Sequence, residues 1–237
     1  MFDVDDTLYD HAHAVRAALE HLRKNEPLLA QHPLPKVARQ YADLLEEVHP
    51  KVVKGSVAPD DARSRRLQAL YAWAGRKVTL PEARKLAEEY RNEYLRNQRA
   101  VPGSNELVRW LAGRVRLGVV SNNRTDEQVE KLRTIGMDGL FAAVVTSEEV
   151  GAAKPDSDIF EAALRKLGVD AGNVLMVGDS WDADVLGARG CEIPAVWYNA
   201  VGLPIPDPAL AVELRSYTPL DRAVGAIAAA FELERDT

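Results

Sequence analysis

The spacing of apolar positions divides the chain into two textures. From about Asp10 to Arg99, apolar residues recur every three or four positions within long charged stretches, and no β-branched run interrupts them. That period marks amphipathic helices. It predicts helices at His13–Asn25, Val37–Val48, Asp60–Trp73 and Pro81–Arg99. Pro27, Pro33, Pro35, Pro50, Pro59 and Pro81 punctuate the stretch. Leu80-Pro81-Glu82 reads as a helix start, with proline in the turn whose N–H groups lack intrahelical partners anyway.

From Val101 onward the texture alternates. Short apolar runs at Arg116–Val120, Ala142–Thr146, Val174–Val177 and Ala195–Trp197 predict strands. Between and after them, Asn105–Ala112, Thr125–Ile135, Ser157–Leu167, Ala183–Arg189 and Leu220–Phe231 read as helices. Strands alternating with helices imply an α/β fold, a doubly wound parallel sheet of Rossmann-like form. Such sheets bind ligands beyond the carboxyl ends of their strands, near the point where the winding reverses. The expected organisation is an α/β core from residues 1–9 plus 100–237, interrupted by an all-helical insert at 10–99.

Composition narrows the class. A chain of 237 residues, 46% hydrophobic and 28% charged, describes a globular protein. No apolar run approaches the roughly 20 residues that span a bilayer, so no membrane partner is expected. The acidic start carries neither the basic region nor the apolar stretch of an export signal. Cys191 is the only cysteine, which excludes an internal disulfide and fits a reducing compartment; a cytoplasmic location is the expectation. A net charge of −6 argues against nucleic acid as partner, while a small phosphorylated molecule needs only local positive charge. The five histidines all fall between His11 and His49, so the C-terminal half works without imidazole.

Four segments carry candidate chemistry. In Phe2-Asp3-Val4-Asp5-Asp6-Thr7, alternate residues of an extended chain would turn the Asp3 and Asp5 carboxylates toward one site. Such a pair suits a metal site, a solvated loop, or a nucleophile and a proton donor screened by a cation. Thr7 and the turn-tolerant Asp6 let the chain leave the strand sharply. Ser121-Asn122-Asn123 follows an apolar strand, where a hydroxyl and a backbone N–H can bind phosphate or cap the next helix. Lys154-Pro155 sets a lysine in an extended segment outside the following helix. Gly178-Asp179-Ser180-Trp181-Asp182-Ala183-Asp184 follows a buried strand with acidic oxygens suited to Mg²⁺ or to helix capping, Asp179 and Asp184 being the better metal candidates and Asp182 a solvated charge.

In order and spacing these four segments resemble the haloacid dehalogenase superfamily of hydrolases. The run Ser147 to Phe160 is similar to its small-molecule phosphatases with a helical cap, and the large insert between the first two motifs is where that cap belongs. The resemblance implies a Mg²⁺-dependent phosphatase acting on a nucleotide monophosphate or sugar phosphate. Asp3 would attack phosphorus to form a phosphoaspartyl intermediate, and Asp5 would serve as acid and then base. Mg²⁺ would be held by Asp3, the Asp5 backbone carbonyl, Asp179 and Asp184. Ser121, the Asn122 N–H and Lys154 would hold the phosphoryl oxygens, and Thr7 would fix the first loop. Haloacid dehalogenases of the superfamily typically lack the second aspartate, so Asp5 favours phosphate esters. A phosphomutase keeps that aspartate, and a non-catalytic phosphometabolite-binding protein is the reading from another class.

The family carries about five apolar residues ahead of the nucleophile, but here only Met1 and Phe2 precede Asp3. The expectation is that the natural start lies upstream. His11 and His13 are close enough to the first motif to approach a substrate or to sit solvated. Arg63, Arg65 and Arg66 read as a solvated basic face, Trp181 as either a wall of the site or core packing, and Tyr9, Trp73 and Trp110 as hinge or core. Cys191 reads as an inert small hydrophobe. Nothing in the chain speaks to oligomeric state.

Overall fold

A computed structural model describes residues 1–46, Val48, Val52 and 55–233. The expected break at Pro50, Glu47 of the second predicted helix (Val37–Val48), and His49 lie outside them. The chain folds as two compact units, His11–Gln98 and Met1–Asp10 with Arg99–Thr237.

The first unit is helical: α1 (His11–Asn25), α2 (Leu34–Glu46), α3 (Pro59–Trp73) and α4 (Leu80–Arg96), with a single turn at Pro27–Ala30. Pro35 and Pro81 sit in first turns rather than breaking helices. Thr79 caps α4 through a capping box with Glu82. That helix ends at Arg96, three residues before the predicted end, where Asn97 Nδ2 donates back to the Glu93 carbonyl at 2.8 Å. Leu19, Leu22, Leu67, Leu70, Tyr71 and Tyr90 are among the residues that fill the unit's core.

The other unit is α/β, with α5 (Ser104–Ala112), α6 (Thr125–Thr134), α7 (Ser157–Leu167) and α8 (Leu220–Leu233). Its strands are β1 (Gly118–Ser121), β2 (Ala143–Thr146), β3 (Met176–Gly178), β4 (Ala195–Tyr198) and β5 (Val212–Leu214), paired in parallel as β1 with β2 and as β3-β4-β5. Residues 1–3 join the two sets. On one side the Phe2 amide donates to Gly118 O and the Val120 amide to Phe2 O, both at 2.9 Å. On the other, the Val177 amide donates to Met1 O at 3.0 Å and the Asp3 amide to Val177 O at 2.9 Å. Met1 and Phe2 therefore serve as the central rung, and the spatial order is β2-β1-(residues 1–3)-β3-β4-β5. The winding reverses between residues 1–3 and β3, which puts Asp3 and Asp179 at the carboxyl side of the switch point.

Two elements depart from expectation. Strand β5 is not predicted, because Val-Glu-Leu is short and interrupted by a charge. The helix expected over Ala183–Arg189 is instead a wide turn of π-helical form at Trp181–Leu186, then a short α turn at Gly187–Arg189. The Ser180 carbonyl accepts both the Asp184 amide (2.9 Å) and the Val185 amide (3.3 Å), inserting one extra residue into the turn.

Candidate active site

The first loop is wound around one carbonyl. Val4 O accepts the amides of Thr7, Leu8 and Tyr9 at 3.3, 2.9 and 2.9 Å, and Asp6 takes a φ of 59°, a left-handed conformation that aspartate tolerates. The extended segment thus ends at Val4. Asp3 and Asp5 remain near enough for the Asp5 charge to act on Asp3, but each is held by its own lysine.

Lys154 is buried at the centre. Its Nζ donates to Asp3 Oδ1 at 2.6 Å, to Asp184 Oδ1 at 2.6 Å and to the Val120 carbonyl at 2.8 Å. All three ammonium donors are therefore matched to acceptors. Asn122 holds the lysine from behind: its Nδ2 donates to Lys154 O at 2.8 Å and its Oδ1 accepts the Lys154 amide at 2.6 Å. The Lys154–Pro155 peptide is cis, and the lysine lies ahead of α7. Ser121 is buried at the end of β1. Neither Ser121 nor Asn122 caps α6, whose N-cap is Arg124, with Asn123 Oδ1 accepting the Arg124 amide at 2.8 Å.

Asp184 Oδ2 accepts the Ser180 amide at 3.0 Å, and the bare backbone of Gly178 makes room for its carboxyl group. A Cβ at Gly178 would stand 2.2 Å from Asp184 Cγ, so only glycine fits. Half-buried Asp179 accepts from Thr7 Oγ1 at 3.3 Å, and its carbonyl accepts from Trp197 Nε1 at 2.8 Å. Ser180, not Asp179, caps the wide turn, accepting the Ala183 amide at 3.2 Å. Asp182 is exposed.

Asp3, Asp179 and Asp184 each offer a carboxylate oxygen within 4.8 Å of the others. Burial raises Asp3 to about 7; Lys154 pulls it down, and Asp184 and Asp5 push it up. Burial, then the charges of Asp3, Asp184 and Asp6, push Asp179 up to about 8. Burial alone would lower Lys154, but Asp184 and Asp3 hold it above its ordinary value. Three carboxyl groups thus share one ammonium. The cluster is rich in hard oxygen donors and short of positive charge, which is the chemistry of a divalent oxygen-ligand cation site.

Asp5 rests on residues that the motif reading missed. Lys131 Nζ donates to both of its oxygens, at 2.7 and 2.8 Å, and Gln128 Nε2 donates to Oδ2 at 3.0 Å. Both side chains are buried on α6, and the one available signal was their three-residue spacing, which puts them on a common helix face. Trp181 packs edge-on against Trp197 at 5.1 Å among Val185, Ala195 and Ala211, so its role is core packing. Cys191 packs against the α/β core. In the helical unit, His11 Nδ1 lies 2.9 Å from Tyr94 Oη and Arg66 stacks on Tyr41 at 4.3 Å, so Arg66 is more than a solvated charge.

Comparison with known proteins adds a family. The profile of the haloacid dehalogenase-like hydrolases matches residues 1–191. The chain is 31% identical over 204 residues to the glyceraldehyde 3-phosphate phosphatase of Pyrococcus abyssi, covering 84% of this chain and 79% of that protein. It is 35% identical over 130 residues to the pyrimidine 5'-nucleotidase YjjG of Escherichia coli, covering 54% and 57% of the two chains. Among solved structures, the hydrolase YfnB of Bacillus subtilis, determined bound to magnesium, superposes with a TM-score of 0.72 at 25% identity over 94% of this chain and 96% of its own.

Proposed function

The chain belongs to the haloacid dehalogenase-like hydrolases, and from that premise we propose that it hydrolyses a small phosphorylated metabolite, a nucleoside monophosphate or sugar phosphate, by way of a phosphoaspartyl enzyme. The observation that carries this reading is the cluster of buried Asp3 and Asp184, both bonded to Lys154, with half-buried Asp179 beside them at the switch point of the sheet. It supports the reading because the Asp3 carboxylate, the proposed nucleophile, stands beside a fixed cation and beside oxygens of the kind that hold a hard cation.

In the first step an Asp3 oxygen attacks phosphorus, the bond from phosphorus to the ester oxygen breaks, and Asp5 gives its proton to the departing alkoxide. In the second, water attacks the same phosphorus, Asp5 takes the proton, and the acyl phosphate releases inorganic phosphate and restores Asp3. Lys154, Ser121 and the Asn122 N–H stabilise the charge on the phosphoryl oxygens. Thr7 holds Asp179. Mg²⁺ would be held by the Asp3 carboxylate, the Asp5 carbonyl and Asp179, with Asp184 direct or through water; bound there it neutralises phosphoryl charge. The helical insert, 10–99, is the candidate cap of this enzyme.

The test is phosphate release from a panel including uridine 5'-monophosphate, glyceraldehyde 3-phosphate and phosphoserine, with MgCl2 and with EDTA. Release with MgCl2 and its loss in EDTA are expected. A panel without release overturns the reading in favour of a binding protein, and isomerised ester without free phosphate would mean a mutase.

The acidic set also fixes a pH dependence. Asp3 and Asp179 keep protons in the folded protein up to about 7 and about 8, whereas the ordinary carboxyl value is 3.8. Between those limits the native state binds more protons than the unfolded chain, so this pair's contribution to stability falls as pH rises. A cation must displace those protons. The increment that MgCl2 adds to the melting temperature should therefore grow from about pH 5 to about pH 8 and level off above. Thermal unfolding across that range checks it; an increment that shrinks with pH speaks against these ligands.

A further inference from the structure

Helix α6 is charged and polar along most of its length, yet it turns a lysine and a glutamine into the interior. Gln128 is fully buried and Lys131 is 6% exposed. Polar side chains of this size are rarely buried without a partner that requires them. Here both reach one carboxylate, that of Asp5, 123 and 126 positions away in sequence. Asn123 Nδ2 lies 3.5 Å from the same Oδ2. Lys131 Nζ also lies 5.4 Å from the centre of the Tyr9 ring. Burial alone would lower the lysine, but Asp5 and Glu127 hold it above its ordinary value, so it stays charged. Among the described residues, Gln128 Oε1 has no hydrogen-bond partner, so the amide's one bond is the bond to Asp5.

We infer that Lys131 and Gln128 are positioning residues that fix the Asp5 carboxyl group in the orientation from which it serves the leaving oxygen. The lysine fork holds both carboxylate oxygens and so sets the rotation of the group. The glutamine bond selects Oδ2 and leaves the other edge defined. A carboxyl group delivered in one orientation avoids the orientational search that a free side chain would repeat at every turnover, and a displacement of about 1 Å costs on the order of 100-fold. The inference rests on the phosphatase reading, because it assigns Asp5 a leaving group to protonate.

A leaving-group comparison separates positioning from mere support of the fold. Nitrophenolate departs without a proton; an alkoxide does not. Lys131→Met should lower kcat/KM on uridine 5'-monophosphate or glyceraldehyde 3-phosphate, whichever the wild type hydrolyses faster, by roughly 10- to 100-fold. On p-nitrophenyl phosphate kcat/KM, which ends at leaving-group departure and so omits the water step that all esters share, should stay within about threefold. Lys131→Arg, which keeps a charged fork, should restore most of the loss. Equal losses on both kinds of ester, or none on either, overturn the inference. If wild-type protein releases phosphate from no ester, the phosphatase reading fails first. The crystal structure of Lys131→Met then tests the clamp alone, and an unmoved Asp5 carboxyl group overturns it.

Discussion

Asp3→Asn should bring phosphate release down on the order of 10⁴-fold or more while leaving the protein folded. A carboxamide oxygen is a poor nucleophile toward phosphorus and its acyl phosphate cannot form. The substitution costs the fold little. Asp3 is pushed up to about 7 first by burial and then by the charges of Asp184 and Asp5, and a neutral amide removes both the cost of burying that charge and its repulsion. The amide oxygen can still accept the bond that Lys154 Nζ now makes at 2.6 Å. The melting temperature should hold or rise even as turnover vanishes, a combination that general damage to the fold does not produce. Steady-state phosphate release and thermal unfolding on the same preparation measure both. Full activity in Asp3→Asn would sink the nucleophile assignment.

Lys154→Met should fail in both respects. The ammonium is the counter-charge for Asp184 and Asp3, all three buried. Removing one partner from such a set leaves charge without compensation and costs about 3–5 kcal/mol. At roughly 2–4 °C per kcal/mol for a chain of this size, the melting temperature should fall by about 6–20 °C. Turnover should fall by about 100- to 1,000-fold, the range seen when one fixed donor to a developing anion is lost. Added MgCl2 should recover more stability in the variant than in the wild type, because the cation then meets carboxylates with no ammonium beside them. A variant that turns over within about threefold of wild type would remove Lys154 from the chemistry.

The parallel α/β organisation was legible because its signal is local: a strand such as β3 lies in a buried apolar run, Val174–Val177, and the chemistry-bearing residues follow it directly. The helices between His11 and Arg96 were legible for the same reason, through a period maintained over whole turns. The misses share a different cause. Lys131 and Gln128 look like ordinary residues of a solvated helix, and only a partner more than a hundred positions away turns them inward. Asn122 presented a backbone N–H to sequence reasoning, whereas its side-chain amide holds the lysine loop through two bonds that depend on a distant segment. The extra residue in the turn at Trp181–Leu186 comes from two amides converging on the Ser180 carbonyl, which a hydrophobic period does not encode. Strand β5 is too short to show a period at all.

The ladder bonds of residues 1–3 have a mechanical consequence. Among the described residues, Asp3 stands on the one stretch of backbone that pairs with both sets of strands. Its coordinates are therefore an average of two frames, one carrying the Ser121 and Lys154 side of the pocket and the other the Asp179 and Asp184 side. Breathing of either half of the sheet would shift Asp3 against the groups of the other half. With Asp3 as the proposed nucleophile, such a site would act as a gauge of the whole sheet, disarmed when the scaffold loosens, well short of global unfolding.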